Sequence, residues 1–443
     1  MEGKILPYSL KAEQSVLGSI LLDKDAIVLV TDIIEAKDFY KELHQDIYAA
    51  MLRLYMKSEP IDLITVTEEM TKKGAEQSPD EVGYLTDLTA VPDFTSHIVN
   101  YAKIVKEKSV LRDLIRASQR IMEKGYSAEE EVEAVLGFAE KEVFDISQSQ
   151  NTRGLIEISD IVMETYDEME RIYRNKGELT GLTSGFIDLD RKTNGFQKTD
   201  LILVAARPAM GKTAFALNLV ANAALKGEAS VAVFTLEMSR QQLLQRMVAA
   251  HSQVMLGNIK NGTLEDEEWE RVTSSMHILS NQKIYIDDTP GINAIQLRSK
   301  CRRLKIEKGL DLVVIDYLQL MEGDGRTENR QQEISKISRS LKILAKELEC
   351  PVIALSQLSR APEQRAEHRP MLADLRESGA IEQDADMVMF LYRDEVYDQD
   401  TPDKNMAEVI IAKHRSGEIG TVVLTWLGQY QLFANAPGPE LRL

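Results

Sequence analysis

Eight consecutive residues, Ala206-Arg207-Pro208-Ala209-Met210-Gly211-Lys212-Thr213, have the types and spacing to hold a nucleoside triphosphate. A helix that starts near Lys212 offers unpaired backbone N–H groups and the positive end of its dipole to a phosphate. From that position Lys212 reaches the outer phosphates, and the Thr213 hydroxyl can ligate Mg²⁺. The usual form of this loop opens on glycine; here Ala206 stands in that place. Three further polar positions follow apolar runs. Residues 312–315 lead to Asp316, suited to hold Mg²⁺ through water. Residues 231–236 lead to Glu237, which either orients a water for in-line attack on the γ-phosphate or caps the helix that follows. Residues 352–356 lead to Gln357, either an amide that reports the γ-phosphate or an ordinary polar strand end.

Such residues need a scaffold that gathers strand ends. Apolar runs at 201–205, 231–235, 284–286, 312–316, 352–356, 387–392, 408–412 and 421–426 predict strands. Several are continuously apolar, as strands covered on both faces are. Their alternation with helical stretches predicts an α/β domain with a largely parallel sheet, whose carboxyl ends collect ligands. The last two runs have no helix between them and predict an antiparallel edge hairpin.

The first part of the chain reads as helical. Helix-period apolar positions run through 10–34 and 47–55. Leu111, Leu114, Ile115 and Met122, then Val132, Leu136 and Val143, predict two long helices around a turn at Gly125-Tyr126-Ser127. That hairpin is either a packed bundle or a face for a partner. Residues 147–154 read as a linker. One amphipathic helix follows, capped by Ser159 or Asp160, with Val162, Tyr166, Met169 and Tyr173 as its stripe; it must bury that stripe in its own domain or on a neighbouring subunit. A second linker spans 175–182.

At 443 residues the chain is too long for one ordinary core, so two or three domains are expected. No apolar stretch reaches the length that spans a bilayer, and the N-terminus lacks the basic-then-apolar layout of a secretory signal. Two cysteines, Cys301 and Cys350, suit a reducing compartment, and the six histidines show no zinc-type clustering. A net charge of −18 looks adverse to nucleic acid, yet an acidic exterior is compatible with one basic channel. Acidic residues crowd 129–131 and 164–170, whereas basic ones gather at 300–305 and 360–376. Each basic run alone also reads as a solvated helix face.

Read together and in order, the motifs become specific. The loop is followed by Phe234-Thr235-Leu236-Glu237-Met238-Ser239, by Val314-Ile315-Asp316-Tyr317-Leu318-Gln319-Leu320, by Ala354-Leu355-Ser356-Gln357-Leu358-Ser359-Arg360 and by the stretch from Asp374 to Asp386. Upstream stand Lys11-Ala12-Glu13-Gln14-Ser15-Val16-Leu17-Gly18, Asp38-Phe39-Tyr40 and His44. Nearly end to end, the chain resembles the replicative DNA helicases of the DnaB type. The resemblance implies an α-helical N-terminal collar domain (1–150) that meets primase, a linker with a helix that packs on the adjacent subunit (151–182), and an α/β RecA-like P-loop ATPase motor (183–443). It implies a homohexamer that uses ATP and Mg²⁺, moves 5′ to 3′ on single-stranded DNA, unwinds a forked duplex and is placed by a helicase loader. It also implies a bacterial cytoplasm and no membrane, in a host- or phage-encoded version. By the same match Lys212 and Thr213 bind phosphate and metal, Asp316 completes the metal site, Glu237 activates water and Gln357 senses the γ-phosphate. Arg376, Glu377 and Gly379 match the loop that holds the DNA backbone. Lys413 and Arg415 match the pair that reaches into the neighbour's nucleotide. His414 and Ser416, which flank that pair, replace the Gln and Asn common in bacterial members. A filament-forming RecA-like recombinase and a loader or scaffold that uses ATP only as a switch are the competing readings; Glu237 and Arg415 favour turnover over switching.

Overall fold

The computed structural model describes residues 5–72, 79–91, 97–127, 132–149, 157–175, 177, 179–321 and 330–437. The acidic run at 129–131 and most of the expected linker at 147–154 lie outside these residues. The chain divides into two compact units between Thr165 and Tyr166, within the amphipathic helix of the linker. Among the described residues, no helix is long and apolar enough to cross a membrane.

The first unit is helical: α1 (Leu10–Leu22), α2 (Glu42–Met56), α3 (Leu63–Thr71), α4 (Pro79–Leu88), α5 (Ile98–Ser127) and α6 (Val132–Ser149). Its core holds Val16, Leu17, Ile20, Ile47, Met51 and Val105. The polar motif residues pin these helices together. Glu13, buried in α1, accepts the Tyr40 N–H at 2.8 Å and meets Nδ1 of the fully buried His44 at 2.6 Å. Asp38 accepts from Ser109 at 2.8 Å and Lys106 at 2.9 Å, both on α5. Buried polar groups of this kind demand partners, so these residues fix how α1, α2 and α5 meet.

Three local expectations shift. The helical pattern of 10–34 is not one helix: Asp23 turns extended and its carboxylate takes the Asp25 N–H, so a 3-10 segment, Lys24–Leu29, replaces the next turns. The helix α5 runs on through Gly125-Tyr126-Ser127, so the expected turn does not fall at those residues. The linker helix α7 spans Ile158–Arg174, starting one residue ahead of the expected cap. Its stripe residues Val162, Tyr166, Met169 and Tyr173 are all exposed, as are Leu111, Leu136 and Val143 on the α5–α6 hairpin.

In the second unit the elements are α8 (Ile187–Thr193), β1 (Leu201–Ala206), α9 (Lys212–Lys226), β2 (Val231–Thr235), α10 (Arg240–Ser252), α11 (Leu256–Asn261), α12 (Asp266–Ser280), β3 (Ile284–Asp287), α13 (Ala294–Lys308), β4 (Leu312–Asp316), α14 (Arg330–Leu348), β5 (Val352–Gln357), α15 (Gly379–Asp384), β6 (Met387–Tyr392), β7 (Met406–His414), β8 (Gly420–Leu427) and β9 (Leu432–Asn435). They build one sheet in the order β3-β2-β4-β5-β1-β6-β7-β8-β9. The first six strands of that order run parallel and the last three join antiparallel. Side chains alternate across the sheet into two cores. Ile202, Val204, Val233 and Val314 face Phe215, Leu219 and Met247 on one side. Leu203, Ala205, Phe234 and Ile315 face Leu297, Leu341 and Leu344 on the other. Burial on both faces accounts for the continuous apolar runs. The expected edge hairpin is present as β7 and β8, with β7 extended through Lys413 and His414. The short β9 has no counterpart among the expected strands.

Candidate active site

The neighbouring strands β2, β4, β5 and β1 all run in one direction, so their carboxyl ends bring Glu237, Asp316, Gln357 and the phosphate loop to one edge of the sheet. Ala206 is still a strand residue: it pairs with Gln357, and its carbonyl accepts the Leu358 N–H at 3.1 Å. An extended residue needs no glycine, which explains why alanine serves there. Positive φ is required later, at Ala209 (67°) and Gly211 (93°). A Cβ on Gly211 would stand 3.1 Å from Phe433 Cζ, so both backbone conformation and space keep this position glycine. Lys212 opens α9.

Lys212 is half-buried, with Nζ 4.6 Å from the centroid of the Tyr317 ring. Burial lowers its pKa, and the Asp316 and Glu237 carboxylates pull it back up. Asp316 is almost fully buried. Burial raises its pKa, against the Lys212 charge and the Thr213 hydrogen bond. The Thr213 hydroxyl donates to Asp316 Oδ2 at 2.8 Å, whereas Oδ1 is buried without a hydrogen-bond partner among the described residues. A buried carboxylate oxygen beside a hydroxyl, at a phosphate loop, is a donor set for a small hard cation. Mg²⁺ fits these residues.

Glu237 is exposed at the head of a tight turn in which the Thr235 hydroxyl bonds both the Met238 N–H and the Met238 carbonyl. Ser239, not Glu237, caps α10, in a reciprocal box with Gln242. Glu237 therefore does not serve as the cap of α10.

Two residues that the motif spacing did not single out complete the edge. Gln319, three residues past Asp316, bonds the Ser356 hydroxyl at 2.8 Å and the Gln357 backbone at 3.4 Å, tying the end of β4 to the end of β5. Arg393 donates to the Ala209 carbonyl at 3.1 Å, pairs with Glu395 and lies 5.0 Å over the Trp426 ring. Its only signal in sequence is its position just beyond the apolar run 387–392. Arg207 is also engaged, with Glu363 and with the Leu358 carbonyl at 2.8 Å.

The other singled-out residues lie apart. Arg376 and Glu377 fall in a 3-10 segment, Leu372–Ser378, and Gly379 is the first residue of α15. Lys413 and Arg415 are at the far end of the sheet. Met387 pairs with Ile202 on one side and with His414 on the other, and the Arg415 N–H bonds the Asp386 carbonyl at 2.9 Å. Arg415 is therefore level with the start of β1 and the phosphate loop with its end, about 16 Å away at the usual strand rise.

The comparisons with known proteins decide the family. The family model for the DnaB-like helicase C terminal domain matches residues 181–435, and that for the DnaB-like helicase N terminal domain matches residues 5–107. The chain belongs to the DnaB-like helicases. It is 50% identical to the replicative DNA helicase DnaC of Bacillus subtilis, over 98% of this chain and 96% of that protein. It is also 50% identical to the replicative DNA helicase DnaB of Geobacillus stearothermophilus, over 98% and 95%. A solved DnaB-like replicative helicase, studied with its interactions with primase, matches with a TM-score of 0.79 at 37% identity over 97% of this chain and all of that one. A second solved structure, an ATPase domain, covers 64% of this chain at 42% identity with a TM-score of 0.62. The chain is thus an ATP-dependent replicative DNA helicase with the helical and RecA-like α/β parts of this family.

Near Arg415, the buried Asp200 carboxyl is pushed up to about 6, first by burial and then by the Asp386 charge. A carboxyl raised from its ordinary 3.8 binds more protons folded than unfolded between pH 4 and 6. It therefore favours the fold at the acid end of that window and opposes it as pH rises through 6. Asp200→Asn is expected to stabilise the protein at pH 7 by on the order of 2 kcal/mol. The gain should shrink toward zero near pH 4, as read from urea melts of both proteins across that range.

Proposed function

We propose that the chain works as a homohexameric ring that hydrolyses ATP in clefts shared by adjacent copies, drawing single-stranded DNA 5′ to 3′ through the ring and parting a forked duplex ahead. The observation that carries this reading is the register of β1, β6 and β7, which holds Lys413 and Arg415 a strand's length from the chain's own phosphate loop. That gap exceeds the reach of an arginine side chain. A cation pair aimed away from its own nucleotide completes a site only in a second copy.

In each cleft Lys212 and the first amides of α9 hold the outer phosphates. Thr213 and Asp316 would hold Mg²⁺, which would supply positive charge to offset that of the phosphates. Glu237 orients the attacking water, and Gln357, tied to β4 through Gln319, senses the γ-phosphate. Lys413 and Arg415 from the adjacent copy stabilise charge on the transferring phosphoryl group. Arg393, against the Ala209 carbonyl and the Trp426 face, borders the nucleotide from the β8 side. Arg376, Glu377 and Gly379 grip the DNA backbone; phosphate contacts ignore sequence, as a stepping motor requires.

The exposed apolar stripe of α7 suits an interface between copies. Leu244, Met247, Met276 and Ile284 line an open apolar groove beside the edge strand β3, of a character to receive such a helix. In this reading residues 1–150 form the collar that meets primase, 151–182 the linker and 183–443 the motor. A loader places the ring on DNA in the bacterial cytoplasm.

The test is unwinding of a forked substrate with ATP, with either single-stranded tail removed. Loss of activity on removing the 5′ tail alone is the expected result. Full activity from single copies of the chain, or none on any fork, overturns the proposal.

A further inference from the structure

In the single chain the Lys413–Arg415 pair is already bonded, and its partners belong to the segment that starts at the proposed DNA loop. Lys413 Nζ donates to the Glu382 carbonyl at 2.5 Å and lies 3.4 Å from the Gln383 carbonyl. The Arg415 guanidinium donates to the Gln383 carbonyl at 2.6 Å. Those carbonyls end α15, where a helix lacks internal partners and favours cations.

Below them lies Asp386, buried at the junction of α15 and β6. Its Oδ2 accepts the Leu201 N–H at 2.8 Å and pairs with Lys342 Nζ at 2.5 Å; its Oδ1 faces the Arg415 guanidinium at 3.8 Å. Its carbonyl takes the Arg415 N–H. Lys342 is held in turn by the Thr199 carbonyl at 2.8 Å. Asp386 is thus locked by β1 and α14 and cannot follow a wandering guanidinium, whereas Arg415 is half exposed. At 3.8 Å and with that exposure the contact contributes little binding energy. Its effect is direction: it fixes where the Arg415 guanidinium stands before it meets a nucleotide.

We infer that Asp386 is a positioning residue for Arg415, holding the pair on the last turn of α15 so that its aim at the neighbouring nucleotide follows the segment that begins at Gly379. The inference rests on the reading of Arg415 as a group that serves the adjacent copy. A small misplacement of a charge-stabilising group costs up to about a hundredfold in rate. Asp386→Asn, which leaves an oxygen for the Leu201 N–H but removes the charge, is expected to lower DNA-stimulated kcat by about ten- to a hundredfold. The KM for ATP and the affinity for single-stranded DNA should stay within about twofold of wild type, since neither the phosphate loop nor the DNA loop is altered.

The deciding measurement is ATPase in mixed rings, their composition verified by mass. Every Asp386→Asn site whose neighbour is Glu237→Ala receives a correctly aimed pair, so mixing the two proteins should restore turnover. Arg415→Ala mixed with Glu237→Ala is run beside it. Rescue of Arg415→Ala without rescue of Asp386→Asn overturns the positioning role and places Asp386's effect within its own subunit. Rescue of neither shows that the pair does not act across the interface, which removes the reading on which the inference rests. Wild-type kcat in Asp386→Asn also overturns it. If the Asn protein fails to fold or assemble, judged by melting and ring size, Asp386→Glu carries the same kcat-against-KM split and the same mixing, since it keeps the charge but displaces it by one methylene.

Discussion

Lys212→Ala is expected to abolish ATP hydrolysis and unwinding together. The lysine opens α9 directly behind Gly211, with its ammonium 4.6 Å from the centre of the Tyr317 ring and under the influence of the Asp316 and Glu237 charges. Its charge, disfavoured by burial and favoured by the two carboxylates, is the cation available there to a phosphate. Removing it leaves Asp316, already raised by burial, without its main neutralising neighbour. The triphosphate then meets an acidic cleft. ATPase assays with and without DNA, beside nucleotide binding measured by titration, read the effect; hydrolysis at the wild-type rate would remove the assignment of the loop.

Arg415→Ala is expected to keep nucleotide affinity and lose turnover by about 10³ to 10⁵, the range known for a guanidinium supplied to a transferring phosphoryl group. The separation of phosphate binding from hydrolysis follows from the register of the sheet. Arg415 sits level with the start of β1, a strand's length from the phosphate loop of its own chain, and its bonds go to Gln383 and Asp386 instead. The same geometry dictates a complementation pattern. Glu237→Ala protein has a dead site but an intact pair, so it should revive Arg415→Ala sites in mixed rings. Equilibrium binding of a non-hydrolysable analogue and steady-state ATPase of the mixture read both halves, and weakened binding with kcat intact would contradict the assignment.

What sequence made legible was whatever depends on local pattern. Strands buried on both faces must be continuously apolar, so β1, β2, β4, β5 and β6 stood out with nearly their full spans. A loop between a strand and a helix, followed by acids at the ends of later strands, pointed to the sheet edge where Glu237, Asp316, Gln357 and that loop converge. Pattern failed where a contact that hydrophobic spacing does not encode decides. Asp23 ends α1 because its side chain competes for a backbone N–H, which hydrophobic spacing does not register. The four residues of β9 carry too little periodicity to distinguish from a loop; their place is set by pairing with β8 and by packing of Phe433 on the phosphate loop. Gln319 and Arg393 join the site through folding alone. The bonds of Lys413 and Arg415 to α15 link residues some thirty positions apart in the chain, and no spacing rule anticipates them.

The place of β9 also orders events at the ribosome. The first unit carries its own core and can close while the rest of the chain is still being made, since domains generally fold as units in the order of synthesis. The phosphate loop is complete in sequence by Thr213, yet the ring of Phe433 that backs Gly211 emerges some two hundred residues later. A growing polypeptide therefore carries its ATP-gripping hook without the wall behind it until residue 433 has been added.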